Sequence, residues 1–304
     1  MSNFKYQLSI ASIMKYENDH VVEWIEYHHC IGVDHFYIYD NDENSGLPEL
    51  LDYFINVGIV TLIPFPGELM QFKAYNDAIN RYKEESKYIA FIDADEFIST
   101  NIDNTDIVKS LHDKVPVSSL IDNIFNKYSN HWEYLSGLEP GAIGLNWKVF
   151  GNNYHVEKPE GLIIENYTKY GETDFCNHIK SIINPRVVSQ FVNPHFALFK
   201  HGYCIISQQG SFIAGPFFAN PNDNPLYISH YYYKSKEEFE NRMRRKKCDI
   251  NISDADLRSL LDKNWKDVDV YNNIDNKCGA SFWADKVKDN MIYHGYNPVD
   301  GQKL

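Results

Sequence analysis

Apolar and polar positions follow two rhythms over the first hundred residues. YQLSIASIM (6–14), HFYIYD (35–40), IVTLIPF (59–65) and YIAFID (88–93) are short apolar runs rich in β-branched and aromatic residues, the pattern of strands. Between them lie segments with helical spacing. NDHVVEWIEYHHCIGV (18–33) places Val22, Trp24 and Ile25 inward, offers Asn18 or Asp19 as N-cap and stops at Gly32. LPELLDYFINVG (47–58) has Pro48 in its first turn and Gly58 beyond its end. QFKAYNDAINRYKEES (71–86) is amphipathic. The alternation predicts a parallel sheet covered by helices. Ligands bind such sheets beyond the carboxyl ends of the strands. Asp40 and Asp93 each end a strand, so both are expected at one edge.

Beyond residue 100 the alternation fades. GAIGLNWKVFG (141–151), HIKSIINPRVVSQFV and LYISHYYYK read as β pieces. SKEEFENRMRRKK (235–247) predicts a helix with a capping box of Ser235 and Glu238. SDADLRSLLDKNW (253–265) predicts another, opened by Ser253 or Asp254. The expected class is α/β, one continuous domain with a helical tail.

Composition narrows the function classes. A formal charge of −13 leaves the chain without the basic footprint of a nucleic-acid binder. The 22 Tyr and 18 Phe suit sugar stacking, but they suit a core equally. Five cysteines without a C-x-x-C pair argue against a disulfide framework and for a reducing compartment. No leader-like or membrane-length apolar run occurs, so a cytoplasmic chain is expected, with the inner face of the membrane as a further location.

Four D-x-D patterns occur, and context separates them. Asp254 and Asp256 open a predicted helix, where carboxylates complement the dipole. Asp267 and Asp269 lie in a polar stretch that reads as surface. Asp40 and Asp42 enter DNDENSG, a turn composition at the sheet edge, where turn and ligand roles balance. Asp93 and Asp95 follow an apolar strand and no helix start follows them. Carboxylates crowded there repel unless a cation is present. Mg²⁺ or Mn²⁺ bridging to substrate phosphates would resolve that. No glycine-rich dinucleotide or P-loop motif exists, so a metal rather than a loop would neutralise a pyrophosphate.

IMKYENDHVVEWIEYHHCIGVDHFYIYDND, QFKAYNDAINRY, YIAFIDADEFI, NWKVFG and SHYYYKSKEEFENRMRR together resemble glycosyltransferase family 92 and its bacterial relatives in the family 2 superfamily, over residues 8–247. The resemblance implies a GT-A fold: a Rossmann-like nucleotide-binding mixed sheet flanked by helices, here with a C-terminal helical extension. Residues 1–250 would form the transferase domain, 1–100 its nucleotide-binding half and 101–250 its acceptor half, with 251–304 the extension. It also implies inverting transfer with Mn²⁺ or a similar ion. Asp95 would be the direct metal ligand, with Asp93 and Ala94 completing the motif and Asp93 nearer the ribose. Asp40 and Asn41 would meet the base or ribose. Lys15, Glu17 and Asn18 match the family's K-N-E position, with an extra residue. Gln71, Tyr75 and Asn76 match a helix beside the donor, and His230 the late histidine of the metal or pyrophosphate shell. Asn76, Gln71 and His230 each also have a structural reading, and His195 competes with His230. Lys234 and the cluster Arg242, Arg244, Arg245, Lys246 and Lys247 would face the pyrophosphate, an anionic membrane or solvent. Trp147, Phe150 and Gly151 shape either the acceptor pocket or the core.

An inverting displacement needs a base for the acceptor hydroxyl and stabilisation of the leaving diphosphate. Glu165 breaks an apolar segment and is the first candidate base; Glu172, Asp174 and His155 are alternatives. Glu96 is expected to point away from the metal and tie the loop to a basic partner. The expected donor is a UDP-hexose, UDP-galactose by the resemblance. The expected acceptor is a glycan or lipid-linked glycan in bacterial surface polysaccharide synthesis. A metal-dependent nucleotidyltransferase and a non-catalytic scaffold are the rival classes.

Overall fold

The computed structural model describes residues 4–101, 116–129, 137–219, 224–244, 259, 265–276 and 279–304. Its first part follows the two rhythms: β1 (Tyr6–Met14), α1 (Val21–Cys30), β2 (His35–Asp40), α2 (Leu47–Leu50), α3 (Asp52–Asn56), β3 (Val60–Pro64), α4 (Gln71–Tyr82) and β4 (Ser86–Phe91). The helix expected over 47–58 is two short pieces meeting at Leu51. β1 pairs in parallel with β2 on one side and β4 on the other, and β2 pairs with β3. Alternate residues of these strands enter two cores. Leu8, Ile10, Phe36 and Ile38 share one with Trp24 and Ile25 of α1. Ala11, Ile13, Tyr37 and Tyr39 share the other with Ala74, Tyr75 and Ala78 of α4. Burial on both faces explains why these strands read as continuous apolar runs.

The register confirms the shared edge. Ala11 lies opposite both Phe91 and Tyr37, so Asp93 and Asp40 leave the sheet at the same end. β1 is the switch point between the two winding directions, where such sheets bind ligands.

The rest of the chain supplies β5 (Glu96–Thr100), α5 (Val117–Tyr128), β6 (Glu139–Phe150), α6 (Ile163–Asn166), β7 (Lys169–Gly171), β8 (Ile179–Ile183), β9 (Val188–Asn193), β10 (Phe196–Phe199), β11 (Tyr203–Ile206), β12 (Phe212–Ile213), β13 (Leu226–His230), α7 (Lys236–Arg244), β14 (Ile274–Asp275) and α8 (Ala284–Tyr293). β8 enters antiparallel between β4 and β6, giving the order β3-β2-β1-β4-β8-β6-β11-β12. The first half of β6 pairs with β8 and its second half, from Trp147, with β13. β13 in turn carries β5 antiparallel, with His230 opposite Glu96. This is the GT-A arrangement expected from the sequence: a parallel half joined edge to edge with a mixed second half.

Two capping expectations separate. α7 has the predicted box: the Glu238 amide donates to Ser235 Oγ at 3.2 Å, and Glu238 Oε2 accepts the Ser235 amide at 3.2 Å. α1 has no side-chain cap. Asn18 instead donates to the Ser45 carbonyl, and Asp19 pairs with Lys158 at 2.8 Å. The tail packs on α1 through Val287 and Met291, and the buried Tyr296 hydroxyl donates to the Leu50 carbonyl at 2.8 Å. The helix expected over 253–265, with Asp254 and Asp256, lies almost wholly outside the described residues, as do Arg245, Lys246 and Lys247. Asp267 and Asp269 are exposed, in line with their surface reading. Cys30, Cys176 and Cys204 are free thiols, and no helix among the described residues is long and apolar enough to cross a membrane.

Candidate functional site

The turn between β4 and β5 carries Asp93, Ala94 and Asp95, Glu96 opens β5, and the acidic side chains part, Asp93 and Glu96 toward one lysine and Asp95 toward an arginine. Asp93 is held from two elements. From α4, Gln71 Nε2 and Tyr75 Oη donate to its Oδ1 at 3.0 and 3.2 Å. From β8, Lys180 Nζ donates to its Oδ2 at 2.8 Å. Glu96 is fully buried beneath the turn, 3.2 Å from the same Lys180 ammonium, and its Oε2 accepts the Asp93 amide at 2.8 Å. Glu96 thus points away to a basic partner, as expected from the sequence. Asp95 turns to the other side. Its Oδ2 accepts Arg242 Nη1 at 2.8 Å and stands 3.6 Å from His230 Nε2.

These contacts set the charges. Burial raises the Asp95 carboxyl, but Arg242 and then His230 outweigh it and hold it well below the usual carboxylate range. Burial likewise opposes Lys180 at Asp93, and the ammonium prevails, lowering the carboxyl. Glu96 goes the other way: burial, reinforced by the two aspartates against Lys180, pushes it up to about 8. The protein therefore supplies its own cations to the crowded carboxylates, Lys180 from β8 and Arg242 from α7. Neither pairing is visible in the sequence, because each joins residues about ninety or more positions apart.

Asp95 lines a cleft of about 190 Å³ with Tyr16, Glu17, Lys158, Tyr232, Lys234 and Arg242. Tyr16 and Lys234 are among the few non-glycine residues with positive φ, 62° and 51°. Left-handed backbone at such residues is costly and concentrates at binding sites. The cleft brings together Glu17, Asp95, Lys234 and Arg242 from the sequence candidates. Lys15 lies beside it, its ammonium 5.3 Å from the Tyr16 ring.

Other candidates have local partners. Both Asp40 oxygens accept bonds from its own turn, from Ser45 Oγ and from the Asp42 amide. Asn41 donates to the Phe65 and Gly67 carbonyls at 2.9 and 3.0 Å, while its buried Oδ1 has no protein partner. Asn76 clamps α4 to β9, donating to the Phe191 carbonyl at 3.3 Å and accepting the Phe191 amide at 2.9 Å. That is the structural reading of Asn76.

Glu165 is not brought to the cleft. Its segment is a helical turn rather than a strand, with Ile163 and Ile164 inward and Glu165 outward in an ion pair with Lys288 at 2.5 Å. Glu172 and Asp174 are exposed on the loop after β7. The neighbouring Phe175 ring packs against Trp147 at 5.2 Å and Tyr232 at 5.8 Å, so this loop borders the His230 side of the site. His155 packs edge-on to Tyr167 at 5.7 Å, beside Glu238.

Three histidines surround the buried Trp147: His230 at 4.2 Å, His178 stacked at 4.7 Å and His195 edge-on at 5.1 Å. The exposed Phe217 closes on His178 at 4.4 Å. His195 is tied by Nδ1 to the Ile179 carbonyl at 2.9 Å. His230 is the histidine that reaches Asp95, and its buried Nδ1 has no protein partner. Among the described residues no three Asp, Glu, His or Cys side chains converge as a metal cage. Mg²⁺-type ions seldom need one, since one or two carboxylates and substrate phosphates suffice. Asp95 offers one such carboxylate, with His230 Nε2 3.6 Å away as a nitrogen donor, and a metal there would compete with Arg242 for one oxygen.

A model of glycosyltransferase family 92 matches residues 5–268. A family 92 protein of Oryza sativa subsp. japonica is 29% identical over 240 residues, covering 78% of this chain and 35% of its own. One of Ricinus communis is 31% identical over 94 residues, covering 31% and 16%. The chain thus spans about a third or less of the length of these plant relatives. Among solved structures, S. aureus TarS 1-349 in complex with UDP aligns with a TM-score of 0.39 at 11% identity, covering 86% of this chain and 71% of that one. With the family model spanning most of its length, this chain belongs to glycosyltransferase family 92.

Proposed function

We propose that the chain transfers a hexose from a nucleotide-sugar donor to a glycan acceptor hydroxyl, with inversion. The carrying observation is the cleft at Asp95, beyond the carboxyl edge of a Rossmann-like sheet, where Arg242, Lys234 and Lys158 stand among Asp95 and four further carboxylates, Glu17, Asp19, Glu237 and Glu238. Three cations set in an excess of carboxylate suit a diphosphate that arrives with a divalent cation. UDP-hexoses are the donors to test, UDP-galactose first.

In the proposed reaction the acceptor oxygen attacks the anomeric carbon as the bond from that carbon to the diphosphate oxygen breaks. The acceptor proton passes to a carboxylate, and the nucleoside diphosphate leaves. Mn²⁺ or Mg²⁺, held by Asp95 and His230, would neutralise charge on the leaving diphosphate. Arg242 and Lys234 do the same from the protein side, Arg242 turning from Asp95 to the diphosphate. Asp93 faces the ribose side of the motif. Asp174 is the proposed base, because its loop borders the Trp147–His230 side while Glu165 pairs with α8. The Trp147, His178 and Phe217 tier is the proposed bed for the acceptor sugar. The curated relatives are plant proteins, so the acceptor is proposed only as a glycan, and the rim of the Arg242 helix is the surface to test against anionic vesicles.

The test is release of UDP from a panel of UDP-hexoses with and without Mn²⁺. Asp174→Asn should lower turnover by about 100-fold or more while UDP affinity holds. Glu165→Gln should turn over normally. No UDP release and no UDP binding by the wild-type chain would instead indicate a scaffold.

A further inference from the structure

Among the described residues, Lys180 is the buried ammonium at the site. It projects from the middle of the sheet, where β8 lies between β4 and β6, and its side chain is 1% exposed. The ammonium bridges two carboxylates, Asp93 at 2.8 Å and Glu96 at 3.2 Å. Those two are joined again through the Asp93 amide on Glu96 Oε2. The other Asp93 oxygen is fixed by Gln71 and Tyr75 from the opposite side. Donors from α4 and β8 therefore grip one carboxylate, which is still about a third open to solvent.

We propose that Lys180 is a positioning residue of the donor site, which sets the direction of the Asp93 carboxylate so that its open face meets the nucleotide. This rests on the transferase reading above. A buried ammonium 2.8 Å from a carboxylate restricts that side chain far more than a hydroxyl or amide alone, since charge-assisted bonds are about twice as strong. The site would then divide its labour. Asp93 is a pre-set, internally neutralised ligand, and Asp95 is the exchangeable one, whose counter-ion Arg242 is about a third exposed at the rim and is also held by the Tyr232 carbonyl at 2.8 Å.

A purely structural role makes a different prediction. Lys180 could serve only to balance the buried Glu96. Lys180→Met leaves that carboxylate uncompensated and is expected to lower stability, which confuses any loss of function. The double variant Lys180→Met with Glu96→Gln removes the fully buried carboxylate charge, leaves only the part-exposed Asp93 carboxylate without its ammonium, and keeps an oxygen to accept the Asp93 amide. UDP titration in the presence of Mn²⁺, beside thermal unfolding, then decides. The positioning role predicts that the double variant regains melting temperature but binds UDP at least tenfold more weakly than wild type and than Glu96→Gln alone. Recovery of both stability and UDP affinity overturns it, leaving Lys180 as a structural counter-ion. If wild type binds no UDP at all, the transferase reading fails, and the positioning role fails with it. Those two failures are separated by the wild-type titration.

Discussion

Glu23, 3% exposed on α1, accepts the amides of Ile163 and Ile164 at 2.9 and 3.0 Å and so holds the start of α6. Burial pushes its carboxyl up from 4.5 to about 7, against the pull of those two bonds. The folded state then binds more protons than the unfolded chain between those values. Its contribution is full below pH 4.5 and is lost as pH rises through about 7. Glu23→Gln keeps an acceptor oxygen and removes the titration. Urea unfolding of both proteins at pH 4.5 and pH 8.5 should show the balance moving toward the variant by about 3 kcal/mol at the higher pH. A pH-independent difference would mean that the carboxyl titrates normally. Tyr75 allows a cleaner cut at the site. Tyr75→Phe removes one donor to Asp93, while the ring keeps its edge contacts with Phe91 and Phe191 at 4.9 and 5.2 Å. One net hydrogen bond is worth about 1 kcal/mol, so the variant should lose about that much in urea unfolding, and UDP should bind severalfold more weakly because fewer donors orient Asp93. Unchanged affinity would show that Gln71 and Lys180 suffice.

At the scale of elements, α7 links stability to chemistry. Its capping box anchors the first turn, and Arg242 two turns on reaches Asp95 while its guanidinium lies 4.4 Å from the Tyr232 ring. Ser235→Ala should cost about 1 kcal/mol of stability. It should also weaken UDP binding severalfold by loosening Arg242, and that second effect should vanish in an Arg242→Gln background. Additive losses in the double variant would uncouple the cap from the site. This coupling also shows what the sequence could and could not convey. The box was legible because Ser235 and Glu238 are three residues apart and act locally. Arg242 sat in a basic run that reads as a solvated helix face, and its role depends on a turn 147 residues earlier. Lys180 was hidden for a similar reason. In HIKSII a lone lysine looks like the exposed position of an edge strand, whereas β8 is central and the ammonium is buried. Glu165 is the opposite case: an acid among apolar residues suggests an inward carboxylate, but in a helical turn it faces out. The parallel half is legible in its order of strands and helices, though not in the break at Leu51 or the missing cap of α1, because strands and helices differ in period and each period is a local property. The turn at Gly32 belongs to that half. Its φ is 95°, and a Cβ there would sit 2.4 Å from Pro116 Cβ. Gly32→Ala should therefore destabilise by well over 1 kcal/mol, through backbone strain and displacement of α5.

For the molecule as a whole, the least legible part is the polar tail, since its few apolar residues are too widely spaced to announce a core. In the fold they are Val287, Met291 and Tyr296, all essentially buried, and they close the outer side of α1. Tyr296 stacks on Phe54 at 5.5 Å, and His294 stacks on Tyr53 at 4.5 Å while meeting the buried Glu26 at 2.5 Å. The tail thus ties α1 to α3, and α1 carries Trp24, whose indole donates to the Glu96 carbonyl at 2.8 Å directly beneath the acidic turn. A continuous packed route joins residues 284–296 to the candidate site. Ending the chain at residue 278 would uncover Glu26 with no partner and open the α1 core to water. The expected result is a protein that is largely insoluble, or that unfolds without a cooperative transition and binds no UDP. Tyr296→Ala is the graded version, since it keeps the tail but removes one buried ring. It should cost about 3–5 kcal/mol in urea unfolding, in the range of large aromatic truncations. Because the lesion lies far from the cleft, UDP affinity measured on the folded fraction should stay within about twofold of wild type, a difference of roughly 0.4 kcal/mol. A truncated chain that folds cooperatively and binds UDP normally would show that the tail is an accessory to the fold.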